Sequence, residues 1–125
     1  MESGVISLLE KYRLAFDAAD AEAIADCYYE PCVTIRGDGS FHLLGDRSET
    51  VQLLGAVARQ YHDEGMQNGV YSDLEVQMIG TKCALATVEW KLIRSDGSDI
   101  RKWRQSYNVI EQDGACVFYV STFHI

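Results

Sequence analysis

The chain has 125 residues, 47% of them hydrophobic and 24% charged, which predicts one globular domain over residues 1–125, long enough to bury a core without metal or disulfide staples. Eleven basic against nineteen acidic residues leave a net charge of −8, a sign that repels phosphate backbones and anionic headgroups and excludes nucleic acid and membrane as expected partners. Met1–Ile6 carries no basic flank, and Glu10, Lys11 and Arg13 interrupt the apolar run early, so the expected compartment is the cytoplasm.

In chain order, Val5, Leu8, Leu9, Tyr12, Phe16 and Ala19 recur at helical spacing, predicting an amphipathic helix from about Ser3 to Ala18. Asp20 is placed to cap a short second helix that runs to about Tyr28, with Ile24, Cys27 and Tyr28 inward and Pro31 as its stop. Val33–Arg36 and Phe41–Leu44 flank Gly37-Asp38-Gly39-Ser40 and read as a small hairpin. A third helix follows, capped by Asp46 or Ser48, with Glu49 in capping-box position, Val51, Leu54, Val57, Ala58 and Tyr61 as its inner stripe and Gly65 as its end. Four strands are then predicted at Val70–Ile79, Cys83–Arg94, Ile100–Glu111 and Ala115–His124, each rich in β-branched and aromatic residues and separated by glycine-bearing turns. The fold class is α+β: three N-terminal helices packed on an antiparallel sheet.

Asp96-Gly97 and Asp113-Gly114 are favoured two-residue hairpin turns and fix a register. The first sets Trp90 opposite Trp103, Val88 opposite Gln105, Ala86 opposite Tyr107 and, on the other face, Glu89 opposite Arg104. The second adds Phe118, Val120, Thr122 and His124 to the face that carries Trp103, Gln105 and Tyr107. That face is mostly apolar and is assigned to the helices. The opposite face mixes Glu89, Lys91, Lys102 and Arg104 with Leu85, Ile93, Ile110 and Val117, a surface suited to a second copy of the chain, so a homodimer through the outer sheet face is expected.

The order helix, helix, hairpin, long helix, four-stranded meander, together with Lys11–Asp20, Ile24 and Tyr28–Ile35, resembles the nuclear-transport-factor-2-like superfamily over nearly the whole chain. The resemblance implies a cystatin-like cone, a curved sheet wrapped on helices around an internal pocket. Its members include ketosteroid isomerases, SnoaL-like polyketide cyclases, dehydratases, epoxide hydrolases and plain binding or scaffold domains, and fold does not choose among them. On the isomerase pattern, Tyr12 falls where that family keeps an oxyanion-hole tyrosine. The family's carboxylate base falls on Arg36, which stays charged near neutral pH and removes no carbon-bound proton, and its second oxyanion acid falls near Ser106 or Tyr107. Related cyclase-like members end their last strand with a histidine, as His124 does here.

Tyr12 reads first as an amphipathic core residue and second as a pocket group, whereas Arg36 fits equally a solvated strand-end charge or a pocket cation that reads a ligand oxygen. The expected ligand set is Tyr12, Phe16, Tyr28, Arg36, Trp90, Trp103, Gln105, Tyr107, Thr122 and His124, around a small, mainly apolar, oxygenated molecule. In a catalytic version, with proton abstraction, isomerisation, cyclisation or dehydration as the chemistry, His124 is the base and Arg36 or Tyr12 the oxyanion stabiliser. The alternative is a non-catalytic dimeric binding or scaffold domain whose core is filled by its own side chains. Cys27, Cys32, Cys83 and Cys116 show no metal-ligand spacing and read as free thiols. His42 and His62 read as surface groups, and no metal or cofactor is expected.

Overall fold

A computed structural model describes all of residues 1–125. Its elements are α1 (Glu2–Asp17), α2 (Ala21–Ala25), β1 (Tyr28–Ile35), β2 (Phe41–Leu44), α3 (Arg47–Asp63), β3 (Met66–Met78), β4 (Cys83–Arg94), β5 (Asp99–Gln112) and β6 (Ala115–Phe123). The six strands form one sheet in the order β2-β1-β6-β5-β4-β3, antiparallel throughout except where β1 runs parallel to β6. The three helices pack on one face of this curved sheet, the expected α+β architecture.

Local chemistry accounts for most boundaries. Asp20 caps α2 by accepting the Ala23 N–H at 3.1 Å, and Asp46 caps α3 by accepting the Glu49 N–H at 2.9 Å, each satisfying a helix-end donor that has no partner within the helix. The Glu49 carboxylate reaches back to the Gly45 N–H at 2.6 Å. Gly55 lets α3 approach α2: a Cβ there would stand 2.8 Å from the Cβ of Ala21. The second helix is shorter than the sequence predicts. It ends at Ala25 because the Cys27 carbonyl accepts the Phe118 N–H at 2.8 Å and Tyr28 pairs with Phe118, so the chain enters the sheet before Pro31.

The predicted pairs Trp90–Trp103, Val88–Gln105, Ala86–Tyr107 and Glu89–Arg104 are all present, although the turn that implied them is longer than two residues. Arg94 N–H bonds to Ser98 O across a three-residue loop with Gly97 at φ +87, and a bulge between Leu92 and Ile93 restores the register. The two one-residue shifts cancel. Arg36–Ser40 repeats this turn, Arg-x-Asp-Gly-Ser in both places, with Asp38 and Asp96 each accepting the N–H and hydroxyl of the following serine.

The second Asp-Gly turn is a two-residue one, with Asp113 at φ 52 and Gly114 at φ 80. Further along, a bulge intervenes: Val109 pairs with Phe118, but Asn108 pairs with Val120, so Tyr119 is an extra residue in β6. Beyond it the faces exchange. Ser121 and Phe123 turn toward the helices, whereas Val120, Thr122 and His124 turn away, which corrects the predicted facing of those three. Tyr119 has a packing partner outside the sheet in Tyr29, with ring centroids 5.5 Å apart. No helix is long and apolar enough to cross a membrane.

Candidate functional site

The inner sheet face and the helices enclose a cavity of about 540 Å³. Its floor is aromatic, with Tyr12 of α1 at the centre: the Tyr12 ring meets Phe16, Tyr28, Trp90, Tyr107 and Phe118 edge-on at centroid distances of 5.0, 5.8, 6.1, 6.0 and 5.0 Å. Edge-to-face pairs of this kind each stabilise by about 0.5–1.5 kcal/mol beyond their burial, so the floor is a rigid platform. Leu53, Leu54 and Val57 of α3 and Met66 of β3 supply aliphatic wall, and the exposed residues Arg36, Asp38, His42, Gln60, Arg101 and Ile125 surround the mouth.

Polar groups on the floor bond to one another. Tyr12 and Tyr28 share a hydrogen bond between hydroxyls at 3.2 Å, and the Trp90 indole donates to the Tyr107 hydroxyl at 2.8 Å. Burial pushes the Tyr28 phenol up to about 12 and those of Tyr12 and Tyr107 well above their ordinary value, because an anion there would lose its hydration. All three are neutral hydroxyls at physiological pH. Nearer the mouth the Trp103 indole donates to Gln105 Oε1 at 2.9 Å. Ser121 Oγ, beside Tyr28, is fully buried and makes no hydrogen bond.

The charged wall groups differ in how far they are engaged. Asp17, at the end of α1, accepts the Gly69 N–H at 2.8 Å and the Arg13 guanidinium at 3.1 Å. Burial raises the pKa of its carboxyl above its ordinary value, outweighing those two contacts. Arg101 grips Glu64 with two bonds at 2.8 and 2.7 Å and lies over the Tyr61 ring, joining β5 to the end of α3 beside the mouth; this pair holds the Glu64 carboxyl at about 2. Arg36 makes no ion pair and no side-chain hydrogen bond, unlike Arg94 at the same position of the repeated turn, which donates to Ser98 Oγ and the Asp99 carbonyl. Gly37 leaves room beside it for Ile125, whose carbonyl accepts the Gly37 N–H and would stand 2.2 Å from a Cβ at that position. No three His, Cys, Asp or Glu side chains lie close enough together to hold a metal ion.

A family model described as "NTF2-like protein (DUF6841)" matches residues 2–124. The chain belongs to this NTF2-like family. No curated protein matches it. Among solved structures, it is similar to an NTF2-like protein with a cystatin-like fold from Novosphingobium aromaticivorans, at TM-score 0.79 and 15% identity over 98% of this chain and 79% of that one. An NTF-2 like protein of unknown function from Shewanella oneidensis gives 0.76 and 20% over 98% and 97%. A putative aromatic ring hydroxylase from Novosphingobium aromaticivorans gives 0.73 and 16% over 96% and 85%. At these identities the likeness establishes the fold.

Within this NTF2-like cone, Tyr12, Phe16, Tyr28, Arg36, Trp90, Trp103, Gln105 and Tyr107 all line the cavity. Thr122 and His124 do not. Thr122 pairs with Ser106 on the outer face, and the His124 ring bonds to Ser106 Oγ there at 2.7 Å, because the Tyr119 bulge turned both outward. Sequence reasoning missed Ser121 and Phe123, the residues turned inward by the same bulge, and Asp17, which lies one position after Phe16 on α1 and falls off its apolar stripe. His42 reaches the mouth, while the His62 ring bonds to the Phe16 carbonyl at 3.0 Å.

Proposed function

We propose that this NTF2-like chain is a small-molecule pocket protein that takes a mainly apolar molecule carrying one or more oxygen functions. The carrying observation is the cavity itself: about 540 Å³ remain even after the Tyr12 cluster is packed, with Arg36 unpaired at its mouth. That volume lies in the ordinary range for ligand sites and favours this reading over a self-filled scaffold. The ligand's apolar body rests on the aromatic floor and an anionic or strongly polar oxygen meets Arg36, a charge-assisted contact.

Binding is better supported than proton-transfer chemistry. With His124 on the outer face, the half-buried carboxylate in the wall is Asp17, and both its oxygens already accept hydrogen bonds. Tyr12 keeps a neutral hydroxyl able to polarise a carbonyl, which is the part of the isomerase pattern that remains compatible with the site. We also propose a homodimer through the outer sheet face. There Lys102 pairs with Glu89 at 3.2 Å and Lys91 with Asp99 at 3.9 Å, so the charges on that face are largely neutralised within one copy.

The test is a calorimetric titration of naphthalene and naphthoic acid into the wild type and Arg36→Leu. Micromolar binding of both, with the acid favoured only by the wild type, is the expected result. Failure of both compounds to bind would contradict the reading.

A further inference from the structure

Two indoles set the hydrogen-bonding polarity of the cavity. Tryptophan N–H can only donate. Trp90 therefore occupies the Tyr107 oxygen as an acceptor and leaves the Tyr107 hydroxyl hydrogen to donate elsewhere, on a floor shared with the hydroxyls of Tyr12 and Tyr28. Those two share a single bond, which leaves one hydroxyl hydrogen of the pair free to donate. Trp103 acts in the same way on Gln105: it occupies Oε1, which fixes the amide orientation and leaves the NH₂ group as what Gln105 offers, with no protein acceptor in hydrogen-bonding geometry.

Inside the mouth, the carboxylate acceptor on the wall is already engaged. Asp17 uses one oxygen for the Gly69 N–H and the other for Arg13. At the mouth, the exposed Asp38 takes both its Ser40 bonds on Oδ1 and turns Oδ2 to solvent, while Arg36 brings only donors and has no partner. The hydroxyls of Thr34 and Ser121 can take either role and set no preference.

From this count we infer that the cavity is a donor-lined site, whose ligands are flat, acceptor-only molecules such as ketones, quinones and keto acids, and that Trp103 is a specificity-determining residue acting through Gln105. The inference rests on the binding reading above and narrows it to a substrate class. A ligand whose polar group is an N–H or O–H donor meets donors facing donors, and each group left unpaired in a buried site is penalised.

Fluorenone, fluorene and carbazole test this directly, being tricycles of nearly one shape that carry a carbonyl acceptor, no polar group and an N–H donor respectively. Calorimetry on the wild-type protein should rank fluorenone first and carbazole last, with about a tenfold gap between them. In Trp103→Phe, checked for folding by its melting curve, Gln105 Oε1 is released and the amide can turn, so the gap should shrink by improved carbazole binding. Equal binding of fluorenone and carbazole to the wild type, or an unchanged gap in a folded Trp103→Phe, overturns the donor-lined site and leaves the pocket reading standing. If none of the three binds, fluorene included, the pocket reading fails with it.

Discussion

Arg36 and His124 show how differently single residues read once the fold is known. Arg36 follows the last residue of β1 at the cavity mouth and has no partner, so its charge is available to a ligand and contributes little to stability. Arg36→Leu should weaken binding of an aromatic carboxylate about tenfold, the scale of one charge-assisted hydrogen bond, while the melting temperature stays within that of an ordinary surface change. Loss of folding would make Arg36 structural. His124 bonds to Ser106 on the outer face, and His124→Ala should leave ligand affinity unchanged. A loss of binding in this variant would return His124 to the site. The buried phenols add a pH limit. Their pKa values are raised in the fold, to about 12 for Tyr28, against 10.0 ordinarily, so the folded state holds protons the unfolded chain has released. The stability they contribute is complete below pH 10 and is lost as pH rises toward 12. Alkaline titration followed by tyrosinate absorbance should show these phenols ionising only with unfolding; ionisation in a still-folded protein would contradict their burial.

At the scale of elements, the strand registers were legible because turn chemistry is local. Asp113-Gly114 encodes its own turn, and the cross-strand register around Trp90–Trp103 followed even though the Ser95-Asp96-Gly97 loop has one residue more than a two-residue turn, with Glu89 taking its ion pair from Lys102 rather than from Arg104 opposite it. The bulge at Tyr119 was not legible. No glycine marks it, and its cause is tertiary: Tyr119 packs on Tyr29 where β6 begins to pair with β1. Everything misassigned in the site follows from that one extra residue. Tyr119→Ala removes an exposed half of an aromatic pair and should cost under about 1.5 kcal/mol. Deleting Tyr119 would instead push Thr122 and His124 into the cavity and Ser121 out, and should be far more destabilising in urea denaturation. A deletion as mild as the alanine variant would show that β6 does not depend on the bulge. Helix ends follow simpler rules: Asp46→Ala loses the α3 cap and should reduce stability by about 1 kcal/mol with an unchanged denaturant slope.

For the whole molecule, the sequence carried the layer order and the family resemblance, because each switch between helical and strand periodicity is marked by explicit caps and turns. Cavity volume was not legible, since it depends on how far the Tyr12 cluster fills the cone, a matter of packing rather than pattern. The central claim is that the remaining space belongs to a ligand, and native mass spectrometry of the purified protein tests it most directly. The account predicts a mass above that of the bare chain by a small molecule, released on denaturation, or acquired from a metabolite extract and displaced by fluorenone. A protein that emerges bare and takes up neither extract components nor the aromatic tricycles would contradict it.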